Sequence, residues 1–197
     1  MNRIGLLLVI AAGALAGGLA AVALLPGSPQ GTASSGKALI GGPFSLVDQT
    51  GKRVSDTDFR GRKMLVYFGF TSCPDVCPAG LQVIAAALDT LGAKADKLTP
   101  IFITIDPERD PPEKMALYVK SFHPRLVGLS GSSEEVAAAA KAYRVYFKKI
   151  PDEQTPGSYS VDHSSFLYLM DEKGEYIRHF TYPIEAGVLA AELAKAL

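Results

Sequence analysis

The chain has 197 residues, 48% apolar and 20% charged, and its 20 Lys and Arg are matched by 20 Asp and Glu. This is ordinary globular composition, long enough for one domain with a tail and a core that needs no covalent staples. Basic residues are scattered and form no stripe, so nothing marks a nucleic-acid footprint and no nucleic-acid partner is expected.

The segment Ile4 to Leu25 is uncharged and, at ~1.5 Å per helical residue, about long enough to cross a ~30 Å hydrocarbon layer. Arg3 precedes it and no charge follows until Lys37, which predicts a cytoplasmic N-terminus and an exported C-terminal portion. Residues 1–25 therefore read as a signal anchor; a cleaved signal peptide is the alternative, although secretory apolar regions usually run only ~7–15 residues. One Arg and little Ser argue against an organelle transit peptide. The expected location is the bacterial inner membrane, single-pass, with the C-terminal domain in the periplasm. Residues 26–41, rich in Gly, Ser, Pro and Ala, read as a flexible tether. The folded domain is expected over 42–197.

That domain opens with Phe44 to Val47 and Lys52 to Val54 around a turn at Gly51, an N-terminal hairpin expected at a sheet edge. Met64 to Phe70 is a continuous apolar and aromatic run, predicting a strand buried on both faces of a parallel-type sheet. After the stretch Thr71 to Pro78, apolar residues at Leu81, Ile84, Ala85, Leu88 and Leu91 predict a helix that stops at Gly92. Leu98 to Ile105 is the next strand, Asp106 to Pro112 a charged loop, and Glu113 to Phe122 the next helix. Val127 to Leu129 is a short strand, and Ser132 with Glu135 forms a capping box opening a helix to about Tyr143. Pro151 to Ser160 reads as a polar loop, and Asp162-His163-Ser164 leads into a strand ending at Met170. A turn at Asp171 to Gly174, a partner strand Tyr176 to Phe180 and a helix from Ile184 close the chain. Alternating strands and helices imply right-handed crossovers and a three-layer α/β sandwich.

Both cysteines sit in Cys73-Pro74-Asp75-Val76-Cys77, where the first long apolar strand ends. In a helical turn, positions i and i+4 lie ~5–6 Å apart on one side, a spacing for two thiolates on one metal or for a disulfide. A bridge closing so short a loop restricts the unfolded chain little, so it contributes at the low end of the ~2–4 kcal/mol typical of disulfides. Thiolates are soft ligands suited to copper(I), zinc or iron–sulfur assemblies, and imidazole also suits copper. The candidates for a nitrogen ligand are His123 at a helix end, His163 at a strand start and His179 in the closing hairpin. No second cysteine pair is present to complete a four-thiolate zinc site, which leaves zinc with an open position as a minor alternative.

A strand, a two-cysteine loop and a helix, with a late hairpin and closing helix, resemble a thioredoxin-like fold. Within that class, CPDVCP after FGFTS, DPERDPP after the next strand and DHS at the start of a late strand resemble the Sco/SenC family of copper-binding proteins over residues 42–197. The resemblance implies copper ligation by Cys73, Cys77 and His163, and support for cytochrome c oxidase assembly at the CuA site of oxidase subunit II. It further implies exchange with other copper chaperones or thiol reductants. Asp106 and Asp162 are candidate outer partners of that site. Two other activities fit the same cysteines: a thiol-disulfide reductase acting on the oxidase subunit's cysteines, with Cys73 and Cys77 as redox residues, and a peroxide-handling thiol protein.

Overall fold

The computed structural model describes residues 39–152 and 155–197, so the expected anchor and nearly all of the tether lie outside the described residues. Strands β1 (Ser45–Asp48) and β2 (Arg53–Ser55) form the N-terminal hairpin, with Gly51 supplying a positive φ at the turn. β2 is an edge strand, as the hairpin reading anticipated. Strands β3 (Lys63–Gly69), β4 (Leu98–Thr104) and β5 (Val127–Ser130) run parallel at the centre. β8 (Phe166–Met170) and β9 (Tyr176–Thr181) add to β3 in antiparallel order. The sheet order β2-β1-β5-β4-β3-β8-β9 is therefore mixed, a correction to the parallel-type sheet expected from the apolar run at β3. Burial on both faces does not require parallel neighbours, only helices on both sides.

Those helices are present. α1 (Val76–Leu91), α2 (Pro112–Lys120) and α4 (Ala186–Ala196) cover one face, and α3 (Ser133–Ala142) covers the other. The alternation along β3 assigns its residues cleanly: Leu65 and Tyr67 pack with Leu81, Ile84 and Leu189, while Met64, Val66 and Phe68 pack with Val136, Ala140 and Tyr143. α3 carries the expected capping box between Ser132 and Glu135. Among the described residues one helical stretch, Val76–Lys97, is long and apolar enough to cross a membrane. Its Leu81, Ile84, Leu88 and Leu91 are buried in the domain core, which accounts for that apolarity.

The largest departure from expectation lies between α3 and β8. Where a polar loop is expected over 151–160, strands take up both of its ends: β6 (Phe147–Pro151) and β7 (Tyr159–His163) pair antiparallel as a separate two-stranded ribbon, with Phe147 opposite His163. His163 therefore ends β7 and does not open β8. The ribbon's outward residues Lys148, Ser160 and Asp162 are exposed, so no apolar period announced it.

β3 ends at Gly69, where an added Cβ would lie 2.7 Å from Cys77 Sγ and 2.8 Å from the Phe102 ring. The short Cys77 side chain and the packed ring have little room to yield. Gly69→Ala is expected to destabilise the fold by ~1–3 kcal/mol through overpacking and to lower Tm by several degrees in a calorimetric melt.

Candidate metal centre

The cysteine loop leaves β3 at its C-terminal end and turns into α1. The Cys73 amide donates to Phe70 O at 3.3 Å, and Cys77 sits in the first turn of α1 with no exposed surface. Asp75 holds the N-cap position, but its side chain makes no capping hydrogen bond. The Cys77 amide N–H points at Cys73 Sγ from 3.5 Å. Neither thiol is in a disulfide.

Their environments drive the two sulfurs apart. Cys73 is half-buried and its pKa falls to about 5, chiefly because the Cys77 thiol hydrogen-bonds to its thiolate. The Cys77 and Asp75 backbone amides add to this, His163 contributes a smaller favourable charge effect, and partial burial opposes all of them. Cys77 is pushed far up because its proton is held by Cys73, and because it is buried. The pair is thus one thiolate and one thiol that share a proton.

His163 arrives from the ribbon. Its Nε2 lies 3.5 Å from Cys77 Sγ, a separation that two ligands ~2.0–2.3 Å from one ion can keep. Its Nδ1 lies 3.0 Å from Ser164 O. A carbonyl only accepts, so Nδ1 carries a proton in this contact, and in the neutral imidazole Nε2 is then the lone-pair nitrogen on the Cys77 side. The Phe70 ring stands edge-on to the imidazole at 5.9 Å. Two soft sulfurs and an imidazole nitrogen of this tautomer suit copper(I). No group of three or more His, Cys, Asp and Glu side chains is gathered closely enough to count as a finished metal site among the described residues. What the fold assembles is the Cys77–His163 contact with Cys73 beside it.

The other two histidines are elsewhere. His123 Nδ1 accepts from the Arg125 amide at 3.1 Å and its Nε2 lies 3.5 Å from Asp89. His179 is exposed and packs with Phe166 and Tyr176 on β8 and β9. Asp106 is fully buried; it accepts from Arg109 Nε at 2.5 Å and from the Tyr159 hydroxyl at 2.7 Å, so it reaches the ribbon but not the sulfurs. Asp162 is exposed on the outer face of β7, opposite Lys148 in the pairing, and it does not partner His163. The strand period accounts for this: Tyr159, Val161 and His163 face inward, and Ser160 and Asp162 face out.

Within the charged loop Asp106 to Pro112, the sequence assigns no role to Asp110. It is fully buried and accepts from the Thr71 amide at 2.9 Å, the Thr71 hydroxyl and the Thr104 hydroxyl at 2.7 Å, with Lys114 Nζ at 3.2 Å. A carboxylate four residues after Asp106 in a Pro-rich loop gives no local sign of such a role. Its contact to Thr71 spans 39 positions and exists only in the fold.

In the reduced, metal-free protein, iodoacetamide is expected to label Cys73 about tenfold or more faster than Cys77. The Cys73 rate should plateau above pH about 5 and fall below it, where the thiolate protonates. Peptide mass spectrometry after timed labelling checks both statements.

The family model described as SCO1/SenC matches residues 32–197. Protein sco1 of Schizosaccharomyces pombe is 49% identical over 151 residues, covering 75% of this chain and 57% of its own length. The mitochondrial SCO1 homolog of Homo sapiens is 47% identical over 161 residues, covering 81% of this chain and 53% of its own length. The chain thus spans about half the length of these curated relatives. The structure of Bradyrhizobium japonicum ScoI with copper bound superposes with a TM-score of 0.74 at 46% identity, covering 80% of this chain and 99% of that one. The mixed α/β sheet matches the thioredoxin-like fold of the solved Sco structures, and the chain belongs to the SCO1/SenC family.

Proposed function

We propose that the protein binds one copper ion through Cys73, Cys77 and His163 and passes it on, supporting assembly of the CuA centre of cytochrome c oxidase. The observation that carries this reading is the 3.5 Å approach of His163 Nε2 to Cys77 Sγ, with Nδ1 committed to Ser164 O. A disulfide needs no imidazole at that distance and a structural staple needs no tautomer control. The copper-bound Bradyrhizobium structure, at 46% identity, supports the choice of metal.

Copper here is cargo. The half-buried Cys73 thiolate is the sulfur a partner can reach, whereas Cys77 and His163 hold the ion from the protein's side. Transfer then proceeds by exchanging the accessible ligand first. Oxidase subunit II is the proposed acceptor, with other copper chaperones or thiol reductants loading and reducing the site. The uncharged segment Ile4 to Leu25 supports an inner-membrane anchor with this domain in the periplasm.

Removing the imidazole tests the ligand set. His163→Ala, with both thiols still titrating as reduced, is expected to weaken copper(I) binding by more than the ~10–100-fold typical of losing an outer partner. Equal affinity in competition with a copper(I) chelator would refute three-ligand binding.

A second reading is favoured by the division between Cys73 and Cys77. A low-pKa accessible thiolate beside a buried thiol is the arrangement of an attacking and a resolving cysteine, which suits reduction of a disulfide in the oxidase copper subunit. Attack by the Cys73 thiolate forms a mixed disulfide and releases one substrate thiolate. Cys77 then displaces the second, leaving a Cys73–Cys77 disulfide that a dithiol reductant must reduce. Exchange with an oxidase-derived disulfide peptide is expected to survive His163→Ala and vanish in Cys73→Ser; a parallel loss in both variants would tie exchange to the metal site.

A further inference from the structure

The loop Asp106 to Asp110 touches both halves of the candidate site. At one end the Asp110 carboxylate holds the Thr71 amide at 2.9 Å, two residues before Cys73. At the other, Asp106 and Arg109 hold Tyr159, four residues before His163 on the same inward face of β7. The Tyr159 hydroxyl donates to Asp106 Oδ1 at 2.7 Å, and Arg109 Nη1 donates to Tyr159 O at 3.0 Å. The guanidinium carbon lies 3.8 Å from the Tyr159 ring centroid, and Arg109 Nη2 is buried without a hydrogen-bond partner. Lys149 on β6 adds a second tie to the same loop, 2.8 Å from Glu108.

A two-stranded ribbon is marginal on its own in water and needs a surface to rest on. The inward face of β7 offers three residues for that purpose, and Val161 and Tyr159 are the two that are not His163. We propose that Tyr159 and Arg109 are positioning residues: gripped by the buried Asp106 carboxylate, they set the separation between the imidazole of His163 and the cysteine pair. This assignment rests on the copper reading for its consequence and on geometry alone for its mechanism.

Removing Asp106 would leave Arg109 with an uncompensated, partly buried charge and risks general unfolding. Tyr159→Phe is the milder change, since it deletes one hydroxyl and keeps the ring beneath the guanidinium. Arg109→Lys is the second, retaining charge but losing the planar fork. The full chain, reduced and metal-free, is compared with each variant by amide hydrogen exchange. The expected result is faster exchange in 147–151 and 159–163, with the amides of α1 unchanged. In parallel, copper(I) affinity measured against a chelator should drop about 10–100-fold with two thiols still counted.

Unchanged ribbon exchange in both variants would overturn the proposal. So would equal loss of protection in α1 and the ribbon, because that marks general destabilisation. Ribbon loosening with unchanged copper affinity would overturn the link from Tyr159 to His163. Failure of the wild-type chain to bind copper(I) would overturn the copper reading, and the exchange comparison in the metal-free protein then decides the clamp by itself.

Discussion

The structure around the site depends on a carboxylate buried without exposure. Asp110 sits where β4, the cysteine loop and α2 converge, and a charge taken out of water there must be compensated in full. It is met by the Thr71 amide and hydroxyl, the Thr104 hydroxyl and Lys114, each from a different part of the chain. Its backbone carbonyl accepts from Ser130 Oγ at the end of β5. Three neighbouring strand ends are therefore stitched together at one point, and the cysteine loop inherits its position from them.

That anchoring explains how a short loop carries a defined electrostatic asymmetry. Because the loop cannot drift, the Cys77 amide and thiol stay directed at Cys73, which bears the negative charge at neutral pH. Gly69 removes the Cβ that would occupy the space of Cys77 Sγ, so the second sulfur lies against the end of β3. Tyr67, whose own ionisation is driven up mainly by burial, donates its hydroxyl toward Val76 O at 3.3 Å and closes the site from beneath. The result is a sulfur pair with one open side. Metal exchange and disulfide exchange both require that, which is why the same cysteines support two readings and why His163 is the feature that separates them.

Much of this architecture was legible in the residues. The apolar run at β3, the three-and-four spacing along α1, the capping box before α3 and the Gly-based turns each express local physics, and each element formed close to where it was expected. The ribbon was not legible, because Lys148, Lys149, Ser160 and Asp162 carry no apolar alternation and its pairing is held by contacts made across the fold. Asp162 shows the same limit on a smaller scale. Adjacency to His163 suggested partnership, yet a strand turns neighbours to opposite faces, and the Ser164 carbonyl takes the role instead.

By itself the sequence determined the donor chemistry and its order along the chain: two thiols four positions apart after a buried strand, a charged loop after the next, and a histidine over eighty positions later. It did so because residue type and local spacing suffice for those statements. The tertiary structure supplied the contact between Cys77 Sγ and His163 Nε2, the histidine the family resemblance had implied, and it alone decided which aspartate holds the cysteine loop and which holds the ribbon. All three rest on contacts spanning 39, 53 and 86 positions, and no local propensity encodes a contact of that range.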